Sequence, residues 1–296
     1  MIIHKPVLTE EVIKVLAPSK NQNFIDATVG FAGHAEMLLK KTAPNGKLLA
    51  IDQDSEALEK AKDRLTKFGS RVSFARVNFV DLGLIIRDWK EKKINGILFD
   101  LGPNTTQLLD EERGFSFRGD APLDMRMNFD TKLTAADIVN RFSKRDIAKI
   151  LFAGEEKFAK QIAAEIIRVR SSRPINTTKA LVEVVRRALP PKYRFEQKTH
   201  FTTATFRALR MAVNDELNNL QKVLPQAVKI LSPGGRIAVI SFHSLEDRIV
   251  KNYFRDNPDL DIFVNKPITA SSEEIRKNSS ARSAKLRVAV KKGEQC

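Results

Sequence analysis

The stretch FIDATVGFAGHAEMLLKK, residues 24–41, decides the fold. It opens on an apolar run, turns on Gly30 and Gly33, and closes in helix-forming residues. A strand that turns through glycines into a helix is the first unit of a doubly wound sheet, where ligands lie beyond the carboxyl ends of the strands. Glycines at that turn have no Cβ and let the backbone approach a ligand closely. The spacing is G-x-x-G, not the G-x-G-x-x-G that sets backbone N–H groups on a pyrophosphate. A nicotinamide dinucleotide is therefore the weaker of the nucleotide-type occupants.

Outward from this turn, residues 23–30, 47–54, 72–79 and 95–102 are apolar runs that read as strands, with helical periodicity between them. Ser55 is placed to cap the helix that follows the second run. Strand alternating with helix predicts a parallel sheet covered on both faces. From Leu108 to Ala212 the alternation stops, and 144–170 and 178–189 read as amphipathic helices. Residues 232–244 resume the strand pattern, and 262–269 and 284–290 read as a final pair. The expectation is an α/β, Rossmann-like domain formed by 1–107 and 213–296, interrupted after its fourth strand by a helical domain at 108–212.

Residues at the ends of these runs carry the chemistry. Asp52 follows Gly30 by 22 positions. A carboxylate there accepts the hydroxyls of an adenosine ribose, in nicotinamide and S-adenosylmethionine enzymes alike. S-adenosylmethionine has no phosphate, needs fewer turn glycines, and ends in a zwitterion that seeks backbone donors and a carboxylate, a place open to Asp26. Phe79 stands where a base can stack. Asp100, Asn104 and Gln107 emerge after the fourth run, in DLGPNTTQ. That segment is a loose relative of the Asp/Asn-Pro-Pro-aromatic motif of amine methyltransferases. Asp100 is the candidate acceptor of an amine proton, with Asn104 in support.

The chain has 51 Lys+Arg against 36 Asp+Glu, a net charge of +15. Such a surplus favours a polyanionic partner. Between Arg168 and Arg210, eleven basic residues face two acidic ones, so nine of the fifteen surplus charges cluster there. RGFSF offers Arg113, Phe115 and Phe117 for phosphate contact and base stacking, and SFHSLEDR offers His243. Cys296 is the sole cysteine, which excludes an internal disulfide and suits a reducing cytoplasm. The start, MIIHKPVLTEEVIKVL, lacks the pattern of a signal peptide, and no apolar run reaches the roughly 18 residues of a membrane span. The four histidines, at 4, 34, 200 and 243, show no metal-ligand spacing. A cytoplasmic, nucleic-acid-binding enzyme without membrane or metal is expected, with a homodimer left open.

HKPVLTEEV, DATVGFAGHA, DLGPNTTQLLDEERGFSFRGDAPLDMRMN, GEEKFAKQIAAEI, TFRALRMAVNDEL, SFHSLEDRIVK and NSSARSAKLRV follow one another in a familiar order. In these segments the chain resembles the RsmH (MraW) family of bacterial 16S ribosomal RNA cytosine-N4 methyltransferases, from His4 to Val290. The resemblance implies a class I S-adenosylmethionine-dependent fold with an inserted helical domain. It implies methyl transfer to N4 of one cytidine in the decoding region, with 16S rRNA in the small ribosomal subunit as partner. Beside Gly30, the implied cofactor ligands are Ala32, Gly33, His34, Asp52, Phe79, Asp100 and Gln107. Three departures stand out. Ala32 replaces a family glycine, which is tolerable if φ there is negative and its N–H stays available. DLGPNTT stands for D-L-G-V-S-S. FRALR stands for F-Q-A-L-R and adds Arg207, which joins Arg210 as a candidate substrate cation. Two rivals remain: a nicotinamide oxidoreductase, and an RNA-binding assembly factor that has lost catalysis.

Overall fold

The computed structural model describes residues 6–196 and 200–293, so His4, Lys198 and Cys296 lie outside the described residues. The chain divides into two compact units, one formed by Met1–Gly102 with Leu217–Cys296 and one by Pro103–Glu216.

The first unit carries the sheet: β1 (Phe24–Asp26), β2 (Leu48–Asp52), β3 (Val72–Arg76), β4 (Gly96–Asp100), β5 (Arg236–Ser241), β6 (Leu260–Ile262), β7 (Ile268–Thr269) and β8 (Lys285–Lys291). The order is β3-β2-β1-β4-β5-β8-β6, with β7 also on β8. β1 to β5 run parallel, while β8 runs antiparallel to β5, β6 and β7. This is the Rossmann-like arrangement, and strand order reverses between β1 and β4. The strands are shorter than their apolar runs. Past Asp26 the backbone diverges, with Ala27 N–H donating to Leu98 O and Val29 N–H to Ile51 O. That fans the chain open at the strand tips.

Helices α1 (Thr9–Leu16), α2 (Gly33–Lys41) and α3 (Ser55–Leu65) pack on one sheet face, and the short α4 (Leu82–Asp88) on the other. Leu38, Leu39, Leu58 and Ala61 meet Phe24, Ala50, Leu98 and Ile240 in one core. The cap of α3 differs from the sequence expectation. Asp54 Oδ1 accepts from Glu56 N–H at 3.0 Å, and Ser55 is already inside the helix. A carboxylate at the positive helix end is the stronger acceptor.

The second unit contains α5 (Thr105–Leu109), α6 (Ala135–Arg141), α7 (Lys144–Ala153), α8 (Ala159–Arg170), α9 (Thr178–Ala188), α10 (Pro191–Glu196) and α11 (Thr203–Asn214). Among its described residues the only β pairing is an isolated bridge, Pro122 to Thr177. Its core is separate: Ile138, Leu151, Ile162, Leu181, Val185 and Leu209 are fully buried in it. The helical pattern at 144–170 breaks after Ala153. Gly154 is required there because a Cβ would stand 2.3 Å from the Ala208 Cβ, and Glu155 follows at φ 60°.

Returning to the first unit, α12 (Glu216–Ile230), α13 (Ser244–Asp256) and α14 (Ser272–Lys277) complete the helices. Leu220, Val223, Val250 and Phe254 cover Ile25, Ile51, Ile97, Phe99 and Val239 on the second face. No helix of the described residues is long and apolar enough to cross a membrane.

Candidate active site

Side chains alternate across a strand with period two. Phe24, Ala50 and Leu98 face the core under α1, α2 and α3. Two residues further on, Asp26, Asp52 and Asp100 fall on that same face, at the carboxyl ends of β1, β2 and β4. His34, 5% exposed, stands in the first turn of α2 with Nε2 3.6 Å from Asp100 Oδ2. Both ring nitrogens of His34 and Oδ1 of Asp100 are buried without a hydrogen-bond partner. The Asp100 backbone N–H is tied to Thr28 Oγ1 at 2.6 Å. Buried polar groups without partners are costly, and a cluster of them at the strand switch marks a ligand site.

The electrostatics specify the sign of that ligand. Burial pushes Asp26 up to about 7, against His34 and the Thr28 N–H, while Asp100 and Asp52 push in the same direction as burial. Burial likewise pushes Asp52 up to about 6, opposed by the N–H groups of Asp54 at 2.9 Å and Gly30 at 2.8 Å. The carboxylates of Asp52 and Asp100 hinder ionisation of Asp26, and a cation beside them relieves that crowding. A pyrophosphate placed here would be repelled.

The glycine turn serves the site differently from the sequence expectation. Ala32 sits at φ 60°, not at negative φ, and its N–H is spent on Val29 O at 2.7 Å. The reversal from Val29 into α2 closes so tightly that a left-handed residue is required, at a cost of about 1–2 kcal/mol for an alanine. The Gly30 N–H is spent on Asp52 Oδ2. Gly30 itself has φ 48°, and the nearest atom to a Cβ there would be Thr28 O at 3.9 Å, so its face stays open. Gly33 is covered, since its Cβ would stand 2.6 Å from Pro6 Cγ. Ala32 gives α2 no side-chain cap. The first-turn N–H groups of α2 therefore have no intrahelical acceptors, and they gather the positive end of the helix dipole. Nothing in the sequence of residues 24–41 signals that uncapped start, or the bond from Asp100 to Thr28.

This donor set fits S-adenosylmethionine. Its ammonium and sulfonium charges call for carboxylates, its own carboxylate for backbone donors, and its ribose hydroxyls for an acceptor, and groups of each kind stand at the strand tips. Phe79 opens a short 3-10 turn after β3, with its ring edge-on to Phe99 at 5.8 Å.

In the second unit, Asn104 caps α5 reciprocally with Gln107. Asn104 Oδ1 accepts from Gln107 N–H at 2.9 Å, and Gln107 Oε1 accepts from Asn104 N–H at 3.0 Å. The candidate RNA contacts of RGFSF need correction. Arg113 is 1% exposed and donates to Met127 O at 3.0 Å, so it reaches no phosphate. Phe115 is 7% exposed, and Phe117 is stacked on His200 at 4.4 Å. Arg113 ties its own loop together, and Phe117 packs edge-on against Phe206 of α11. Arg207 donates to Gly154 O at 2.8 Å, and Arg210 pairs bidentately with Glu216 at 2.8 Å. In the first unit, His243 caps α13, with Nε2 3.1 Å from Glu246 Oε1.

The basic cluster is also partly spent. Arg168 pairs with Glu165, and Arg186 and Arg187 with Glu183. Arg170 donates to Val139 O and Phe142 O. Arg173 and Lys179 are exposed, with no ion pair among the described residues.

The sequence profile of the MraW methylase family matches residues 1–292. The chain is 46% identical to the ribosomal RNA small subunit methyltransferase H of Heliobacterium mobile over 97% of its own length and 98% of the relative's. It is 46% identical to the protein of that name from Persephonella marina, over 98% and 99%. The Thermotoga neapolitana protein of the same name is 45% identical, over 97% and 95%. With a match that spans nearly every residue and relatives this close along their whole lengths, the chain belongs to the MraW methylase family.

Proposed function

We propose that the protein methylates ribosomal RNA of the small subunit, using S-adenosylmethionine, at the exocyclic N4 amine of a cytidine in the decoding region of 16S rRNA. The observation that carries this reading is the cluster at the strand tips, where Asp26, Asp52 and Asp100 lie together and the His34 ring nitrogens and Asp100 Oδ1 are buried without a hydrogen bond. The relatives' shared name, ribosomal RNA small subunit methyltransferase H, supports the RNA substrate. The resemblance to the cytosine-N4 family supports the target amine.

When bound, S-adenosylmethionine supplies an electrophilic methyl group on a charged sulfur that departs as a neutral thioether. Asp52 holds ribose hydroxyls, Asp26 the ammonium, the first turn of α2 the carboxylate, and Phe79 the adenine. The N4 lone pair of cytosine is delocalised into its ring. Asp100 accepts a hydrogen bond from that amine, turns the lone pair out of conjugation, and takes the proton as the N–C bond forms. Asn104 is the supporting polar group in this reading. The target base leaves its stack to reach these groups.

The test is Asp100→Asn, assayed for single-turnover methyl transfer to small-subunit RNA and, by calorimetry, for donor affinity. The expected result is a fall in rate of about 10²–10⁴-fold with a much smaller loss of donor affinity. An unchanged rate removes Asp100 from the chemistry. Mass spectrometry of the product nucleoside decides between N4-methylcytidine and any other base.

A further inference from the structure

The loop from Arg113 to Thr131 buries Arg113 and Phe115, yet it leaves Phe129 49% exposed. The backbone that carries this ring is held by a set of hydrogen bonds. Arg126 donates to Phe129 O at 3.1 Å and to Thr131 O at 2.7 Å, while its other nitrogens pair with Asp124. Asn128 accepts from Asp130 N–H at its side chain and from Thr131 N–H and Oγ1 at its carbonyl. The buried guanidinium of Arg113 lies over the ring, 4.5 Å from its centroid, and that of Arg126 lies at 5.5 Å.

We infer that Phe129 is a stacking platform for an unpaired RNA base, separate from the methyl-transfer site. The inference rests on the RNA-substrate reading above. A rigid loop gives up little entropy when a base lands. A guanidinium against one face of an aromatic ring polarises it for an offset stack on the other. Stacking on an aromatic tolerates any base and is strongest for purines, so the platform grips a nucleotide without reading it.

The test uses the full chain with short fluorescent oligoadenylate and oligouridylate strands across a salt series. The parent binds oligoadenylate more tightly. Phe129→Ala weakens oligoadenylate binding about ten-fold or more and erases the preference for adenine. The slope of affinity against salt stays unchanged, because no phosphate contact is lost. Phe129→Tyr and Phe129→Trp retain the preference, and an unchanged urea midpoint for Phe129→Ala shows an intact fold. Parent-like binding by Phe129→Ala overturns the platform and turns the ring toward a protein neighbour. A parent that methylates small-subunit RNA but shows no adenine preference overturns the platform alone. A parent that methylates no ribosomal RNA overturns the functional reading, and this inference with it.

Discussion

Asp26 shows most directly how a single residue trades stability for binding. Its pKa rises from an ordinary carboxyl value to about 7 in the folded chain, chiefly because it is buried. A raised carboxyl pKa means that the folded state holds the proton longer than the unfolded state. Its contribution to stability is therefore favourable at low pH and is lost as pH rises from about 4 to 7. Asp26→Asn removes the buried charge and keeps an oxygen for the Thr28 N–H, now at 3.3 Å. At pH 8 the variant without donor is expected to be more stable than the parent by about 2–4 kcal/mol. The difference vanishes below about pH 4, where both side chains are neutral. In the proposed function Asp26 holds the donor's ammonium, so the variant's affinity for S-adenosylmethionine is expected to fall with that counter-charge. Urea melts of both proteins between these limits check the sign, and a variant less stable than the parent at pH 8 refutes it. Ala32 is a position of backbone strain. At φ 60° a β-branched side chain clashes with its own backbone, so Ala32→Val should cost about 1–3 kcal/mol in the same melts.

At the scale of elements, helix starts separate what a sequence discloses from what it hides. Both Asp54 and Ser55 are good capping residues, and spacing alone does not choose between them. The choice falls to backbone geometry, and Asp54, at ψ 115°, is the residue still outside the helix. Asp54→Ala should therefore lower the urea stability by about 1 kcal/mol and Ser55→Ala by only a few tenths. Equal losses would contradict the cap. The same limit governs the site. The apolar runs and the carboxylates at their ends were legible, because parity along a strand carries Asp26, Asp52 and Asp100 to one face. The left-handed turn at Ala32 was not, because it depends on Val29 O lying within reach of the Ala32 N–H. Arg113, Phe115 and Phe117 look like an RNA-binding motif in one dimension. Spacing in a loop does not say which side faces inward: Arg113 and Phe115 are buried and Phe117 stacks on His200, while Phe129 is half exposed.

For the whole molecule, a net charge of +15 is a statement about partners only to the extent that the charges are unspent. Counterion release scales with the cations that reach phosphate, not with those already neutralised by a carboxylate. Arg210 is held between both oxygens of Glu216, and its side chain is 16% exposed. Arg173 and Lys179 stand exposed with no such partner among the described residues. The two classes should separate in one experiment, the affinity for a 16S rRNA fragment measured across a salt series. Arg173→Ala and Lys179→Ala each lower the magnitude of the logarithmic slope by about 0.7–0.9 and leave the urea midpoint in place. Arg210→Ala leaves the slope unchanged but strands a nearly buried Glu216, which costs about 1–3 kcal/mol of stability. If Arg210→Ala reduced the slope as much as Arg173→Ala does, the Glu216 pair would open on RNA binding, and the cationic surface would be larger than the free protein displays.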